Sequence, residues 1–252
     1  MSDGRITNYD SVAEHFDRRY ALYEYAGTRD AVLSFLGETP LDVLEVGCGT
    51  GHWLEIARPR SRRLVGLEPS AEMIARASGS RVRGAAEQLP FPDASFDRIF
   101  CVNALHHFRD RFAFFTEARR LLRPGGGMMS IGKDPHAERD TWWVYDYFPE
   151  TRAIDRARFA PVRILRGELA RAGFMWAESC EADHIEVVQP AVEAFASGVV
   201  EKTFTSQLTV LSDEEFGSGV LRIRSADRAA GGDLQLIADF YLFATTGWVG
   251  QP

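Results

Sequence analysis

The stretch Val43-Leu-Glu-Val-Gly-Cys-Gly-Thr-Gly51 decides how the chain is read. The apolar run Leu41-Asp-Val-Leu-Glu-Val46 reads as a buried strand that passes straight into three glycines at alternate positions, Gly47, Gly49 and Gly51. A helical pattern then starts and runs to Pro59. Glycine is required where a ligand touches main chain, because a Cβ would block the approach. The helix start adds unpaired N–H donors facing the turn. The following strand, Arg63-Leu-Val-Gly-Leu-Glu68, ends on a carboxylate 21 residues after Gly47. An acid at that place accepts both hydroxyls of a ribose, so turn and carboxylate together read as a nucleoside site. A dinucleotide fingerprint needs G-x-G-x-x-G. Here its third glycine position is His52 and glycine falls one residue earlier, which argues against NAD or FAD.

The rhythm continues outward. Residues 10–25 and Thr28–Leu36 read as two helices, the second with Thr28 as N-cap and Gly37 as stop. Ser70 caps a helix carrying Met73 and Ile74, and a short strand falls near Arg81–Arg83. Asp97–Val102 is a fourth strand, Arg111–Leu122 a helix, Arg123-Pro-Gly-Gly-Gly127 a turn, and Met128–Ile131 a fifth strand. Strands separated by helices in this way build a doubly wound α/β domain on a parallel sheet. Such sheets bind ligands at the carboxyl ends of their strands. After Gly132 the pattern changes to an aromatic and charged segment, then an amphipathic helix at Ile164–Ala172 and a strand at Phe174–Val188. A mostly helical 190–230 and a last strand at Asp233–Thr245 complete the chain.

Composition narrows the function. The 252 residues are 45% hydrophobic and 26% charged, too apolar for a disordered chain. Lys+Arg 29 against Asp+Glu 36 gives a net charge of −7, opposite to what a sequence-independent nucleic-acid binder needs. Cys48, Cys101 and Cys180 are an odd set without CxxC spacing, which points to a reducing cytoplasm and to neither a disulfide framework nor a zinc cage. The opening MSDGRITNYD has no apolar core, so no signal peptide is read. No apolar run approaches the roughly 18 residues of a membrane span.

The stretch VLEVGCGTG resembles the first motif of class I S-adenosylmethionine-dependent methyltransferases. The likeness continues through Gly66-Leu-Glu-Pro-Ser70 with Met73, Gly84-Ala-Ala-Glu-Gln-Leu-Pro-Phe91, Phe96-Asp97, Asn103-Ala-Leu-His-His-Phe108 and Leu122-Arg-Pro-Gly-Gly126. It covers residues 9–133 and is greatest to the branch that holds the ubiquinone and menaquinone methyltransferases and many small-molecule enzymes. It implies a seven-stranded Rossmann-like sheet and S-adenosylmethionine as cofactor. Gly47, Cys48, Gly49 and Gly51 would line its methionine and ribose, Glu45 would face its ammonium group, and Glu68 would hold the ribose hydroxyls. Pro69 and Met73 would lie against the adenine, with Ala86, Glu87 and Gln88 along its edge. Asn103 and Ala104 would approach the methionine moiety by backbone. Tyr9 and Tyr20, on the N-terminal helix with Phe16 and Arg19, would fold over the cofactor. Relatives often carry Asp where this chain has Ala85, so adenine recognition falls to backbone, Glu87 or Gln88.

Methyl transfer from a sulfonium is an in-line displacement in which the protein mainly aligns the reactants. An alcohol or phenol acceptor benefits from a base, and His106, just after the fourth strand, is the candidate. His106-His-Phe-Arg-Asp110 is similar to a His-Asp-Trp-Ser-Asp segment of plant O-methyltransferases. No metal site is expected, since Asp134-Pro-His136 has no third ligand near it. Trp142, Trp143, Tyr145, Tyr147 and Phe148 read either as a substrate wall or as anchors of an insertion. Arg152, Arg156, Arg158, Arg163, Arg166 and Arg171 read as a solvated face, with an anionic substrate as the other reading.

The expected organisation is a cofactor-binding core with N-terminal cap helices at 1–133. Residues 134–252 complete the sheet and carry substrate-covering insertions at 134–160 and 189–230. The expected activity is methylation of a small molecule at O, N or C by a monomer or homodimer, with no nucleic-acid or membrane partner. The rivals are a non-catalytic S-adenosylmethionine binder, an NAD-dependent reductase, and a nucleic-acid or protein methyltransferase. No YxxxK-like pair supports the reductase, and no Asn-Pro-Pro-Tyr-like motif follows the fourth strand.

Overall fold

The computed structural model describes residues 9–250. Residues 1–8, on which the reading of a missing signal peptide largely rests, lie outside the described residues. The first described residues form a 3-10 turn at Tyr9–Ser11, then α1 (Arg18–Leu22) and α2 (Ala26–Leu36). The continuous helix expected over 10–25 is thus a 3-10 turn, non-helical turns and one short helix.

Alternating strands and helices then give β1 (Leu41–Val46), α3 (His52–Ala57), β2 (Ser61–Glu68), α4 (Ala71–Arg76), β3 (Ser80–Arg83), β4 (Phe96–Val102), α5 (Arg111–Leu121) and β5 (Leu122–Gly132). The expected turn at Arg123–Gly127 falls inside β5, with a register shift against β4 between Phe96 and Arg98. Ser70 caps α4 as its sequence indicates, its Oγ accepting from Met73 N–H at 3.1 Å. Asp110 caps α5 in the same way through Ala113 N–H at 3.0 Å.

Beyond Gly132 come β6 (Thr141–Trp142), α6 (Trp143–Tyr147), α7 (Glu150–Arg158), α8 (Val162–Arg171) and β7 (Trp176–Pro190). They are followed by α9 (Ala191–Ala196), α10 (Ser206–Thr209), α11 (Asp213–Ala229) and β8 (Gln235–Trp248). The sheet runs β3-β2-β1-β4-β5-β8, parallel through β5 and antiparallel at β8, with β6 and β7 both paired to β8. It has eight strands where seven were expected; the addition is the two-residue β6.

The strand order reverses beside β1, which pairs with β2 on one side and β4 on the other. The carboxyl end of β1 therefore opens at the switch point of the sheet. Helices cover both faces. Val43 belongs to one core cluster, with Trp53, Phe100 and Trp143, while Leu44 and Val46 belong to the other, with Phe96, Ile99 and Phe114. β8 outlasts its neighbour: Gly132, the last residue of β5, pairs with Phe243. Residues 235–242 of β8 thus overhang the carboxyl ends of the parallel strands, and β6 and β7 pair along that overhang. This places the later half of the chain over the ligand edge.

One expected cap is replaced. α2 starts at Ala26, after Tyr25 in the left-handed region at φ 48°, and Thr28 lies inside it. The Thr28 N–H and Oγ both donate to Asp183 Oδ2 at 2.8 Å. The N-terminus of α2 is therefore satisfied by a carboxylate of β7 far along the chain, and local sequence cannot show it.

Gly219, inside α11, is buried against Phe148; a Cβ there would lie 2.1 Å from the Phe148 ring. Alanine in a helix interior normally gains about 1 kcal/mol over glycine, but overpacking costs about 1–3 kcal/mol. Because Phe148 is fully enclosed, the clash outweighs the helix gain. Gly219→Ala should lower the melting temperature by a few degrees, and an unchanged or raised value in a thermal melt would contradict this packing.

Candidate active site

The glycine turn closes on β2. Gly47, Gly49 and Gly51 have φ of 76°, 53° and 92°, so the turn uses conformations that side chains disfavour. Gly47 N–H and Cys48 N–H both donate to Leu67 O, at 2.7 and 3.1 Å. A Cβ on Gly47 would lie 2.5 Å from the Ala104 Cβ, so the turn and the segment after β4 touch. The Cys48 side chain points into the core against Gly66. Burial pushes its thiol far up, and it offers the site only its backbone.

Two carboxylates face this turn. Glu68 is nearly buried; its Oε2 accepts from Gly49 N–H and its Oε1 from Ser70 N–H, both at 3.0 Å. The expected pairing of glycine turn and acid is thus present. Burial raises the Glu68 pKa, and the two N–H donors partly offset this. Glu45 is 0% exposed, and neither of its oxygens has a hydrogen-bond partner. Burial lifts its pKa well above the ordinary carboxylate value, and the Glu68 charge adds to the rise. A buried carboxylate with no partner is a costly arrangement that a cation would relieve.

The N-terminal segment lies across the turn. Val12 and Ala13 pack on Met73, which is itself buried, while Pro69 is exposed. Ser70 Oγ bonds Asp10, Thr50 Oγ1 bonds Asp17, and the Tyr20 ring stacks on His52 at 3.6 Å. The Tyr9 hydroxyl bonds His107 Nε2. Burial raises the Tyr9 pKa to about 12, against the lowering pull of Arg19 and Arg158. Of the three residues expected along the adenine edge, Ala86 is buried and Gln88 exposed. Glu87 accepts Arg109 N–H at 2.6 Å, so it shapes the loop before α5.

Beside the turn is a half-open cavity of about 50 Å³. Asn103 lines it from the end of β4 in the left-handed region, φ 51°, held by its N–H on Ile131 O at 2.8 Å. His106, on the 3-10 turn Leu105–His107, also lines it. The His106 ring stacks on Phe159 at 3.9 Å, and its Nε2 is buried without a partner. Burial first, then His107, Arg158, Arg19 and Lys133, hold its pKa well below the ordinary histidine value, so the ring is neutral. His107 is committed elsewhere: Arg158 Nη2 approaches its Nδ1 at 3.3 Å. Guanidinium only donates, so Nδ1 accepts and the ring proton sits on Nε2, toward Tyr9.

The sequence reading missed Lys133. It is buried at the end of β5, 3.1 Å from Asp140, with its ammonium over the Trp142 ring at 3.9 Å. The apolar run of β5 ending in Gly132-Lys133 was the available signal. Of the aromatic set, Trp142 lines the cavity. Trp143, Tyr145 and Phe148 are buried core, and the Tyr145 hydroxyl donates to buried Asp155 at 2.7 Å. In the arginine run, residues 156, 163, 166 and 171 are exposed, but Arg158 turns inward to His107, so that part of the solvated face is corrected. Among the described residues no cluster of three His, Cys, Asp or Glu could hold a metal. No helix there is long and apolar enough to cross a membrane.

Residues 44–129 match the family model described as a methyltransferase domain. A probable S-adenosylmethionine-dependent methyltransferase of Mycolicibacterium smegmatis is 39% identical over 90 residues, which are 34% of this chain and 35% of that protein. A malonyl-[acyl-carrier protein] O-methyltransferase of Marinomonas is 29% identical over 198 residues, 68% of this chain and 73% of that protein. The chain thus spans about a third of the first relative and about three quarters of the second. A methyltransferase structure from an antibiotic biosynthesis pathway of Anabaena variabilis superposes with a TM-score of 0.70 at 22% identity, covering 87% of this chain and 96% of that one. At that identity the likeness speaks for the fold.

Glu45 gives a stability test. A carboxylate whose folded pKa is raised binds its proton more tightly folded than unfolded. It therefore lowers stability as pH rises above the unfolded value of 4.5. Glu45→Gln should melt higher than the parent in ligand-free protein, with the gap widening from about pH 5 to about pH 8. A constant or reversed gap would show that the carboxylate has a partner.

Proposed function

We infer that this chain, whose residues 44–129 match a methyltransferase domain, is a class I S-adenosylmethionine-dependent methyltransferase that moves the methyl group of S-adenosylmethionine to an oxygen, nitrogen or carbon atom of a small molecule. The observation that carries this reading is the pair of buried carboxylates at the glycine turn. Glu45 has two buried oxygens without partners, and a ligand ammonium group supplies the missing cation. Glu68 uses one acceptor position on each oxygen for backbone, and the remaining lone pairs suit the two hydroxyls of a ribose.

The cofactor, when bound, supplies an activated methyl on a cationic sulfur. The chain's own contribution is to bind, orient and exclude water. Backbone at Gly47, Cys48, Gly49 and Gly51 would run beside the ribose and methionine. Met73 and Pro69 would back the adenine, with Ala86, Glu87 and Gln88 at its edge. Asn103 and Ala104 would bring backbone to the methionine end, and Tyr9 and Tyr20 would close over it. His106 would face the acceptor: its Nε2 is free, its ring is neutral and it lines the cavity next to Asn103. It would accept a proton from a hydroxyl or N–H acceptor. In this reading residues 1–133 form the cofactor half, and residues 134–160 and 189–230 cover the acceptor. The cavity walls support that division, since Trp142, Phe159, Thr205 and Gln207 come from the later half.

Each hydrogen bond to a carboxylate is worth about 1.5–3 kcal/mol, so losing two should weaken binding about a hundredfold or more. Glu68→Ala should therefore lower S-adenosylhomocysteine affinity by that factor while far-UV circular dichroism stays unchanged. Unaltered affinity by calorimetry would reject the ribose assignment. His106→Ala should leave that affinity intact and cut the rate of S-adenosylhomocysteine release with an acceptor about a hundredfold. A variant as fast as the parent would remove His106 from the chemistry.

A further inference from the structure

His106 stands between two cavities. The one described above is about 50 Å³. The other, about 30 Å³ and also half-open, is walled by Leu105, Arg111, Ile131, Gly132 and Ala160. His106, Lys133 and Phe159 line both, so these three side chains form the partition. An engineered cavity of about 150 Å³ takes one benzene. Neither of these spaces therefore takes an organic acceptor while the partition stands.

The three walls are not held alike. Lys133 is fixed by Asp140 at 3.1 Å and by the Trp142 ring at 3.9 Å. His106 rides on a 3-10 turn closed by His107 N–H on Ala104 O at 2.9 Å. The main chain of Phe159 is fixed as firmly: its N–H donates to Asp155 O at 2.8 Å, and its carbonyl accepts from His136 Nε2 at 2.9 Å. Asp134 braces the same loop, its two oxygens accepting from His136 N–H and Val162 N–H, each at 3.0 Å. The motif Asp134-Pro-His136 thus frames Phe159. The ring itself is buried but belongs to none of the apolar core clusters. Its ring contact is the stack on His106, with 3.9 Å between centroids and 16° between planes. One aromatic pair is a weak fastening. Swinging the Phe159 ring aside is therefore the least costly way to open the partition, and it adds the space of a benzene ring to the joined cavities.

Charge decides what can pass. Arg111 is paired with Glu168 at 3.2 Å. Lys133 has Asp140, and buried Asp155 adds negative charge near it. The other walls of the second cavity are apolar or small. Each cation there is answered by a carboxylate of the chain, so an ionised acceptor loses its water without gaining a partner.

We propose that the Phe159 ring is a gate: swung off His106, it joins the two cavities into one channel and admits to His106 an uncharged acceptor with an apolar body. This rests on the methyltransferase reading and adds the residue that selects the acceptor.

The test uses the full chain saturated with S-adenosylhomocysteine and titrated, by calorimetry, with 4-butylphenol and 4-butylbenzoate. The phenol should bind about tenfold or more tightly than the benzoate, which would bury an unpaired charge. Phe159→Ala should bind the phenol about three to ten times more tightly than the parent, because no stack has to be broken. Phe159→Trp, a larger ring on the same frame, should bind it more weakly. Loss of stability alone would move both variants the same way. An NMR titration of the His106 ring reads the partition without any acceptor. Burial holds its pKa well below the ordinary histidine value in the parent. It should rise in Phe159→Ala, where water reaches the ring through the second cavity, and stay low in Phe159→Trp. The charged neighbours Arg19, Lys133 and Arg158 are the same in each protein, so burial is what changes. If Phe159→Ala does not fold, Phe159→Leu, which has no ring to stack, is read in its place. Phenol affinities that do not move in opposite directions in the two variants would overturn the proposal. So would benzoate binding as tight as the phenol's, binding of neither probe, or an unmoved His106 titration in Phe159→Ala. Failure of the parent chain to bind S-adenosylhomocysteine at all would instead count against the methyltransferase reading.

Discussion

One strand carries two buried carboxylates with opposite fates, and the contrast organises the molecule. Asp42, at the start of β1, is held by Arg62 and Arg123, each 3.0 Å away, and these arginines keep its pKa below the ordinary value. Glu45, three residues on at the ligand edge, has no partner, and burial drives its pKa up. The amino edge of the sheet is therefore closed by ion pairs that serve stability. The carboxyl edge holds a charge the fold leaves unanswered. The energetic strain of that edge is tolerable because the buried core on both faces, with Val43 and Phe100 on one and Leu44 and Phe114 on the other, supports it.

The parallel half of the fold was legible because its signals are local. A strand, an alternate-glycine turn and a helix start specify one another over nine residues, and Ser70 sits next to the helix it caps. That the Glu68 carboxylate lies beside the glycine turn was legible as well, because two adjacent parallel strands bring their ends together whatever the side chains between them; its hydrogen bond from Gly49 N–H was not. What escaped notice depends on partners remote in sequence. Thr28 looks like a cap by local rules, yet Asp183 of β7 satisfies the helix. Arg158 sits among arginines that point to water, and only the fold shows that His107 turns it inward. Lys133 ends an apolar strand, and nothing near it in sequence foretells the enclosing ring of Trp142 or the charge of Asp140.

The cavity itself is a consequence of strand length. β8 runs antiparallel past the end of β5, so its first residues hang over the ligand edge without a parallel neighbour. β6 and β7 satisfy the exposed backbone of that overhang, and Phe240 and Leu242 from it become cavity wall. Substrate-facing structure is thereby built on paired strands, which hold side chains more firmly than a free loop does. The same geometry explains why aromatic residues that look alike in sequence divide. Trp142 lies on β6 and faces the cavity, whereas Trp143 begins α6 and is enclosed in the core.

The N-terminal segment joins the two halves of the site and is held differently from everything beneath it. Tyr9 packs in the cluster that contains Met73, bonds His107 and lines the cavity, so one side chain touches both the nucleoside side and the acceptor side. The segment is fastened by a few polar contacts, Asp10 to Ser70, Asp17 to Thr50 and the exposed pair Arg18–Glu201. An exposed ion pair contributes about 0–1 kcal/mol, and the small apolar cluster around Val12 and Ala13 adds the rest. Strands β1, β2 and β4, by contrast, are locked by continuous parallel pairing and buried on both faces. The free energy needed to lift residues 9–17 from the glycine turn is therefore a small part of that needed to open the sheet. Residues 9–17 cover the glycine turn through these few contacts, while the relative placement of Glu45 and Glu68 is set by the paired strands that carry them.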